Sequence, residues 1–181
     1  ACDDCDDQDP DNFPGNLELC DGFDNDCDGA IDNGVLFVDY YEDLDGDGNN
    51  EILACDAGNN RLLLCRRKGP GKWDIETLAE DLLAPAHATL VDLDRDGDRD
   101  LVIAVLGNIQ PDDGVVGRVV WLEATADGYR RHVLLDDVRR VADVRAGDLD
   151  GDGDIDLAVA VFGYARGQVL WLENNGSQRF I

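Results

Sequence analysis

Between residues 86 and 135 the apolar positions fall into four short runs, at about 86–92, 100–106, 117–123 and 129–135, parted by stretches rich in Asp, Gly and Arg. β-Branched residues at Val102, Val105, Val119 and Val120 and the alternating pattern favour strands over helices. The pairs Gly58-Asn59 and Asp127-Gly128 are turn signals of the kind that join antiparallel neighbours. One competing helical window, Ile75 to Leu83, is short and stops at Pro85.

This four-part pattern recurs. DLDGDGNNEILAC at 43–55, DLDRDGDRDLVIA at 92–104 and DLDGDGDIDLAVA at 148–160 start 49 and then 56 residues apart. Each is followed by a matching apolar run, RLLLCRR at 61–67, GRVVWLE at 117–123 and GQVLWLE at 167–173, and then by a polar turn and an aromatic, Trp73, Tyr129 or Phe180. Four-stranded antiparallel units repeated at this length are the signature of propeller blades. The expected fold is therefore all-β, a partial β-propeller with blades at about 35–84, 85–140 and 141–181. The last is incomplete, because its fourth strand would start at Phe180. Three units fall short of the roughly four that close a ring, so a longer chain, a symmetric partner or a head-to-tail filament is expected to complete it. Residues 1–34 differ: rich in Asp, Cys, Gly and Pro and poor in large apolar residues, they predict a separate small segment ordered by metal ions and cross-links.

Charge sharpens the picture. With 41 acidic and 15 basic side chains the formal net charge is -26, which excludes nucleic acid and anionic membranes as partners. The 44% of hydrophobic residues come in strand-length runs, which argues against disorder. No apolar run is long enough for a membrane-spanning helix. A chain starting Ala1-Cys2 and lacking methionine has the look of a processed product. Six cysteines outside any paired CxxC zinc pattern point to disulfides and an oxidising, extracellular setting. Cys2, Cys5, Cys20 and Cys27 allow three connectivities; for Cys55 and Cys65, on the second and third strands of the first unit, a disulfide and two buried thiols are alternatives.

Each acidic loop reads D-x-D-x-D-G-x-x-D. Carboxylates at positions 1, 3 and 5 of a tight turn converge, Gly at 6 permits the bend, position 7 offers its carbonyl, and an acid at 9 closes the shell. Such hard oxygen donors select calcium over transition metals, which prefer His or Cys. The third loop offers Asp148, Asp150, Asp152 and Asp156 with the Asp154 carbonyl; the second offers Asp92, Asp94, Asp96 and Asp100 with the Asp98 carbonyl. In the first, Asp43, Asp45 and Asp47 are joined by the Asn49 carbonyl and by Glu51, one methylene longer. A fourth loop lies outside the repeats, with Asp24, Asp26, Asp28 and Asp32 and the Ala30 carbonyl. The four loops hold eighteen of the 41 acidic side chains, so about four calcium ions would cancel charge where it is densest.

The motifs DLDGDGDIDLAVAVFG and GQVLWLENNG resemble the FG-GAP/VCBS family of bacterial and integrin-type β-propeller repeats over about 35–181. That resemblance implies calcium in the loop between the first two strands of each blade, and roles in adhesion, ligand recognition or scaffolding. DCDDQDPDNFPGNLELCDGFDNDCDGAID resembles the short MopE-type metal-binding motif of bacterial secreted and surface proteins, over about 4–32. It adds Asp4, Asp6, Asp7 and Asp9 as weaker ligand candidates; copper figures in that motif's name, but this copy has no His or Met, which favours calcium.

Only two histidines are present, and no GxSxG or His-based metal pattern accompanies them. His132 reads as structural, while His87 would face a propeller channel near Asp143, its counterpart in the next unit. Trp121 and Trp171 read as blade-packing residues. The sequence thus favours a secreted or surface calcium-binding module, non-enzymatic, whose partner is a protein or glycan surface ligand. A subunit of an extracellular filament or surface layer, built from copies of itself, is the next reading, and an accessory domain of a secreted enzyme the third.

Overall fold

The computed structural model describes residues 50–69, 72–110 and 113–176, Cys27, Phe180 and the backbone course of 36–41. Its strands are β1 (Leu36–Tyr41), β2 (Glu51–Asp56), β3 (Arg61–Gly69), β4 (Lys72–Ala79), β5 (Pro85–Val91), β6 (Asp100–Val105), β7 (Gly117–Thr125), β8 (Gly128–Val138), β9 (Arg140–Gly147), β10 (Asp156–Phe162) and β11 (Gly167–Leu172). They form three antiparallel meanders, β1-β2-β3-β4, β5-β6-β7-β8 and β9-β10-β11, and no helix occurs among the described residues. The ambiguous stretch from Ile75 is strand, because β4 pairs with β3 through Cys65↔Ile75 and Leu63↔Thr77. In the third sheet Phe180 makes only an isolated bridge to Asn174.

Local chemistry sets the turns. Between β2 and β3, the Asp56 carboxylate accepts the Asn59 amide at 3.0 Å and Arg61 Nε at 2.6 Å, closing the turn on itself. At the start of β8, Gly128 takes φ 112, a conformation that a side chain would disfavour.

Alternation along the strands gives each sheet two apolar faces, and the sheets stack through them in chain order. Leu53, Cys55 and Leu62 of the first sheet meet Leu101, Ile103, Val105, Val120 and Leu122 of the second. The opposite face of the second sheet, with Val102, Ala104, Val119 and Trp121, meets Val141, Val144, Leu157, Val159 and Val161 of the third. Every strand residue of β6 is buried, as expected for a strand covered on both sides.

The far face of the third sheet repeats that of the second, but is open. Val169 is 78% exposed where its counterpart Val119 is 0%, and Trp171 is 49% exposed where Trp121 is 5%. Phe162 stands beside them at 56%.

Register also separates the two described strand cysteines. Ile52 pairs with Cys65 and Cys55 with Leu62, three residues further along, so Cys55 and Cys65 point to opposite faces of the sheet. Both are buried thiols, and burial pushes the Cys65 thiol above its ordinary pKa. Of the two alternatives open in the sequence, the sheet geometry selects buried thiols over a mutual disulfide. Pairing among Cys2, Cys5, Cys20 and Cys27 involves residues outside those described.

Candidate metal centre

The second and third acidic loops each join the first two strands of a sheet, 92–99 between β5 and β6 and 148–155 between β9 and β10. They fold the same way because aspartates hydrogen-bond readily to backbone amides a few residues on. At position 1, Asp92 Oδ2 accepts the Gly97 amide at 3.2 Å and Asp148 Oδ2 the Gly153 amide at 3.1 Å. At position 3, Asp94 accepts the Asp96 amide at 3.2 Å and Asp150 the Asp152 amide at 3.0 Å. Position 5 repeats the device, with Asp96 holding the Asp98 amide and Asp152 the Asp154 amide, both at 2.8 Å. At position 6, Gly97 and Gly153 both have φ 97 with open space around the missing Cβ or only a distant arginine tip, so backbone conformation and not crowding demands glycine.

The winding gathers carboxylates. One oxygen each from Asp92, Asp94 and Asp96 lie within 4.8 Å of one another, as do oxygens of Asp148, Asp150 and Asp156. Asp92 Oδ1 is buried without a hydrogen-bond partner among the described residues. Burial, opposed by the Asp96 amide and reinforced by the charges of Asp96, Glu123 and Asp92, raises the pKa of Asp94. A small oxygen-seeking cation relieves both the crowding and the orphaned oxygen, so the donor set fits calcium.

Position 9 has a second task. Asp100 Oδ2 accepts the Leu93 amide at 3.0 Å and its Oδ1 the Ala124 amide at 2.7 Å; Asp156 does the same with Leu149 at 3.0 Å and Asn174 at 2.8 Å. The carboxylate thereby clasps its loop to the end of the sheet's third strand. Glu51, Asp100 and Asp156 are all nearly inaccessible to solvent. Burial raises the Asp100 pKa, although the Ala124 and Leu93 amides pull it down. Asp100 stands outside the Asp92, Asp94 and Asp96 group, whereas Asp156 belongs to the group in its loop and Asp152 does not. The clasp was hidden in the sequence because its acceptor amides come from Ala124 and Asn174, 24 and 18 residues away. Asn174 adds a side-chain bond from Nδ2 to the Ile155 carbonyl at 3.1 Å.

A further link joins the two loops: Arg95 Nη1 lies 3.2 Å from Asp154 Oδ1. Of the first loop, Asn50 and Glu51 are described, while Asp43, Asp45, Asp47 and Asn49 lie outside the described residues. So do Asp24, Asp26, Asp28, Ala30 and Asp32, and the weaker candidates Asp4, Asp6, Asp7 and Asp9.

The histidines take the following places. His87 Nδ1 is 2.9 Å from Asp143 Oδ1, and Asp143 Oδ2 is 3.2 Å from Arg145 Nε. The pair ties β5 to β9, and the His87 side chain is buried. His132 Nε2 is 2.6 Å from Glu123 Oε2, and its ring stacks on Trp121 with centroids 4.5 Å apart.

A family model for FG-GAP-like repeats matches residues 43–103, which span the first two acidic loops, β2 to β5 and the start of β6. Another, for the copper-binding MopE type of metal-binding motif, matches residues 4–33. A comparison with curated proteins finds no match. Fold, loops and family models agree on a metal-binding, β-propeller-like module.

Proposed function

We propose that this chain is a calcium-binding extracellular module for surface recognition or adhesion, without catalysis of its own. The observation that carries the metal is the repeated cradle, three carboxylate oxygens within 4.8 Å in each of two loops, with Asp92 Oδ1 buried and unpartnered in one. FG-GAP-like repeats, typical of extracellular proteins, support the setting. Millimolar calcium outside cells suffices for sites of about 10⁻⁴ to 10⁻³ M affinity. In this role the ion is architectural: it locks the rim loops, and the clasps of Asp100 and Asp156 carry that order into the sheets.

Thermal unfolding with and without a chelator tests this. Calcium raises the melting temperature by many degrees and magnesium recovers little of the rise, since it demands stricter octahedral geometry. A melting curve indifferent to chelation removes the calcium reading.

The exposed face of the third sheet supports a second reading, a subunit assembled by blade-to-blade contacts. Val169, Trp171 and Phe162 repeat a face that the second sheet keeps covered by a neighbouring blade. Sedimentation velocity over a hundredfold concentration range tests it: Trp171→Ser with Val169→Ser abolishes association if this face is the contact, and a concentration-independent monomer excludes assembly.

A further inference from the structure

The end of the sheets opposite the acidic loops carries a cavity of about 430 Å³, lined by Arg139, Val161, Ala165, Arg166, Gly167 and Gln168. It lies among the turns that join second to third strands, 163–166 between β10 and β11, and the β8-to-β9 corner at Arg139. In a chain with 41 acidic and 15 basic side chains, two arginines lining one cavity are unusual company. Their neighbour Arg140 is otherwise employed: it donates from Nε to the Asn108 carbonyl at 2.8 Å and from Nη2 to the Ile109 carbonyl at 2.9 Å. Arg139 is held more loosely: its Nε makes no hydrogen bond among the described residues, and it forms a long ion pair with Asp113 at 3.9 Å. Asp113 is itself committed to the loop, accepting the Ala165 amide at 3.2 Å. Among the described residues Arg166 makes no ion pair.

The wall is tightly built. A Cβ at Gly163 would lie 2.5 Å from both the Arg166 carbonyl oxygen and Asp113 Oδ1, and 2.9 Å from Arg139 Cδ. Such packing limits the freedom of the Arg139 stem, so the guanidinium is held rather than free to sweep through solvent.

We propose that this cavity binds the carboxylate of a small sugar acid, with Arg139 and Arg166 as its cationic walls and Gln168 as a hydroxyl partner. The two guanidinium groups that line the cavity bring more donors and positive charge than Asp113 offsets, and a carboxylate meets the planar donor edge of an arginine with two parallel bonds. The volume lies within the roughly 300–1,000 Å³ range of small-ligand clefts, larger than a lone anion requires. The amide of Gln168 offers both donor and acceptor to hydroxyl groups. The net charge of -26 sets the valence: a monocarboxylate gains the local arginines, whereas a polyanion meets the repulsion of the whole molecule. This inference gives the recognition role proposed above a ligand class and rests on that role.

The test is an amide-resolved NMR titration of the calcium-loaded chain with glucuronate, using glucose and inorganic sulfate as controls. Glucuronate produces saturable shifts centred on Ala165, Arg166, Gly167 and Gln168, glucose produces none, and sulfate binds more weakly. Arg166→Gln and Arg139→Gln each weaken glucuronate binding by roughly tenfold with an unchanged melting temperature. Should Arg139→Gln fail to fold, the exposed Arg166→Gln still decides the matter. Absence of saturable shifts, or binding indifferent to both substitutions, overturns the proposal; equal binding of sulfate overturns its assignment to sugar acids. Because calcium is held constant and melting is read separately, loss of glucuronate binding with intact calcium stabilisation sinks this inference alone.

Discussion

The second and third sheets carry almost the same third strand, GRVVWLE and GQVLWLE, yet Trp121 is a buried core residue and Trp171 a surface one. Sequence, register and alternation are alike in the two strands. What differs is the neighbour: β9 and β10 cover the first tryptophan, while the second has no sheet against it among the described residues. The same holds in the acidic loops, where Leu93 at position 2 is 1% exposed and Leu149 at the same position 51%. In a stack of repeats, burial belongs to interfaces between units more than to the units themselves.

Substitution breaks this comparison most forcefully. Trp121→Ala costs about 3–5 kcal/mol in denaturant unfolding, the usual loss for a buried large aromatic, and also removes the stacking surface of His132. Trp171→Ala in the monomer changes stability by no more than about 0.5 kcal/mol. Equal losses at the two sites would mean that the third sheet is covered after all.

The loops yield a smaller and sharper contrast. Asp100→Ala strands the Leu93 and Ala124 amides and costs about 2–3 kcal/mol even in the presence of chelator. Asp96→Ala, at an exposed position that joins the carboxylate cluster, removes mainly the increment that calcium adds. Parallel chemical unfolding of both variants with calcium and with chelator separates clasp from ligand; identical calcium dependence in the two would erase the distinction. The weakest expected effect is at Arg95, whose half-exposed contact with Asp154 contributes about 0.2–1 kcal/mol, so Arg95→Ala shifts the unfolding midpoint slightly and less still at high salt.

Much of this is legible in the sequence because it is local. The period-two runs, the position-6 glycines and the spacing of the acids fix strands and loop shape through interactions a few residues apart, and the observed strand Asp100–Val105 sits where 100–106 was expected. The window at Ile75 was ambiguous for the complementary reason: Ile75 and Thr77 are settled by pairing with β3, and their own spacing says little. His87 and Asp143, 56 residues apart in sequence, stand out in the sequence only through the repeat, and their contact ties β5 to β9.

The repeat, the all-β character and the converging acidic loops follow from the chain's local pattern, since each depends on alternation, turn chemistry or short-range hydrogen bonding. Packing between distant parts of the chain settles which tryptophan is core, that Cys55 and Cys65 face apart, that Asp100 and Asp156 clasp a distant strand end, and that Arg140 is hydrogen-bonded to two carbonyls while Arg139 has only a long ion pair with Asp113. Those outcomes turn on what packs against each residue from another part of the chain, and identical local sequence cannot encode different neighbours.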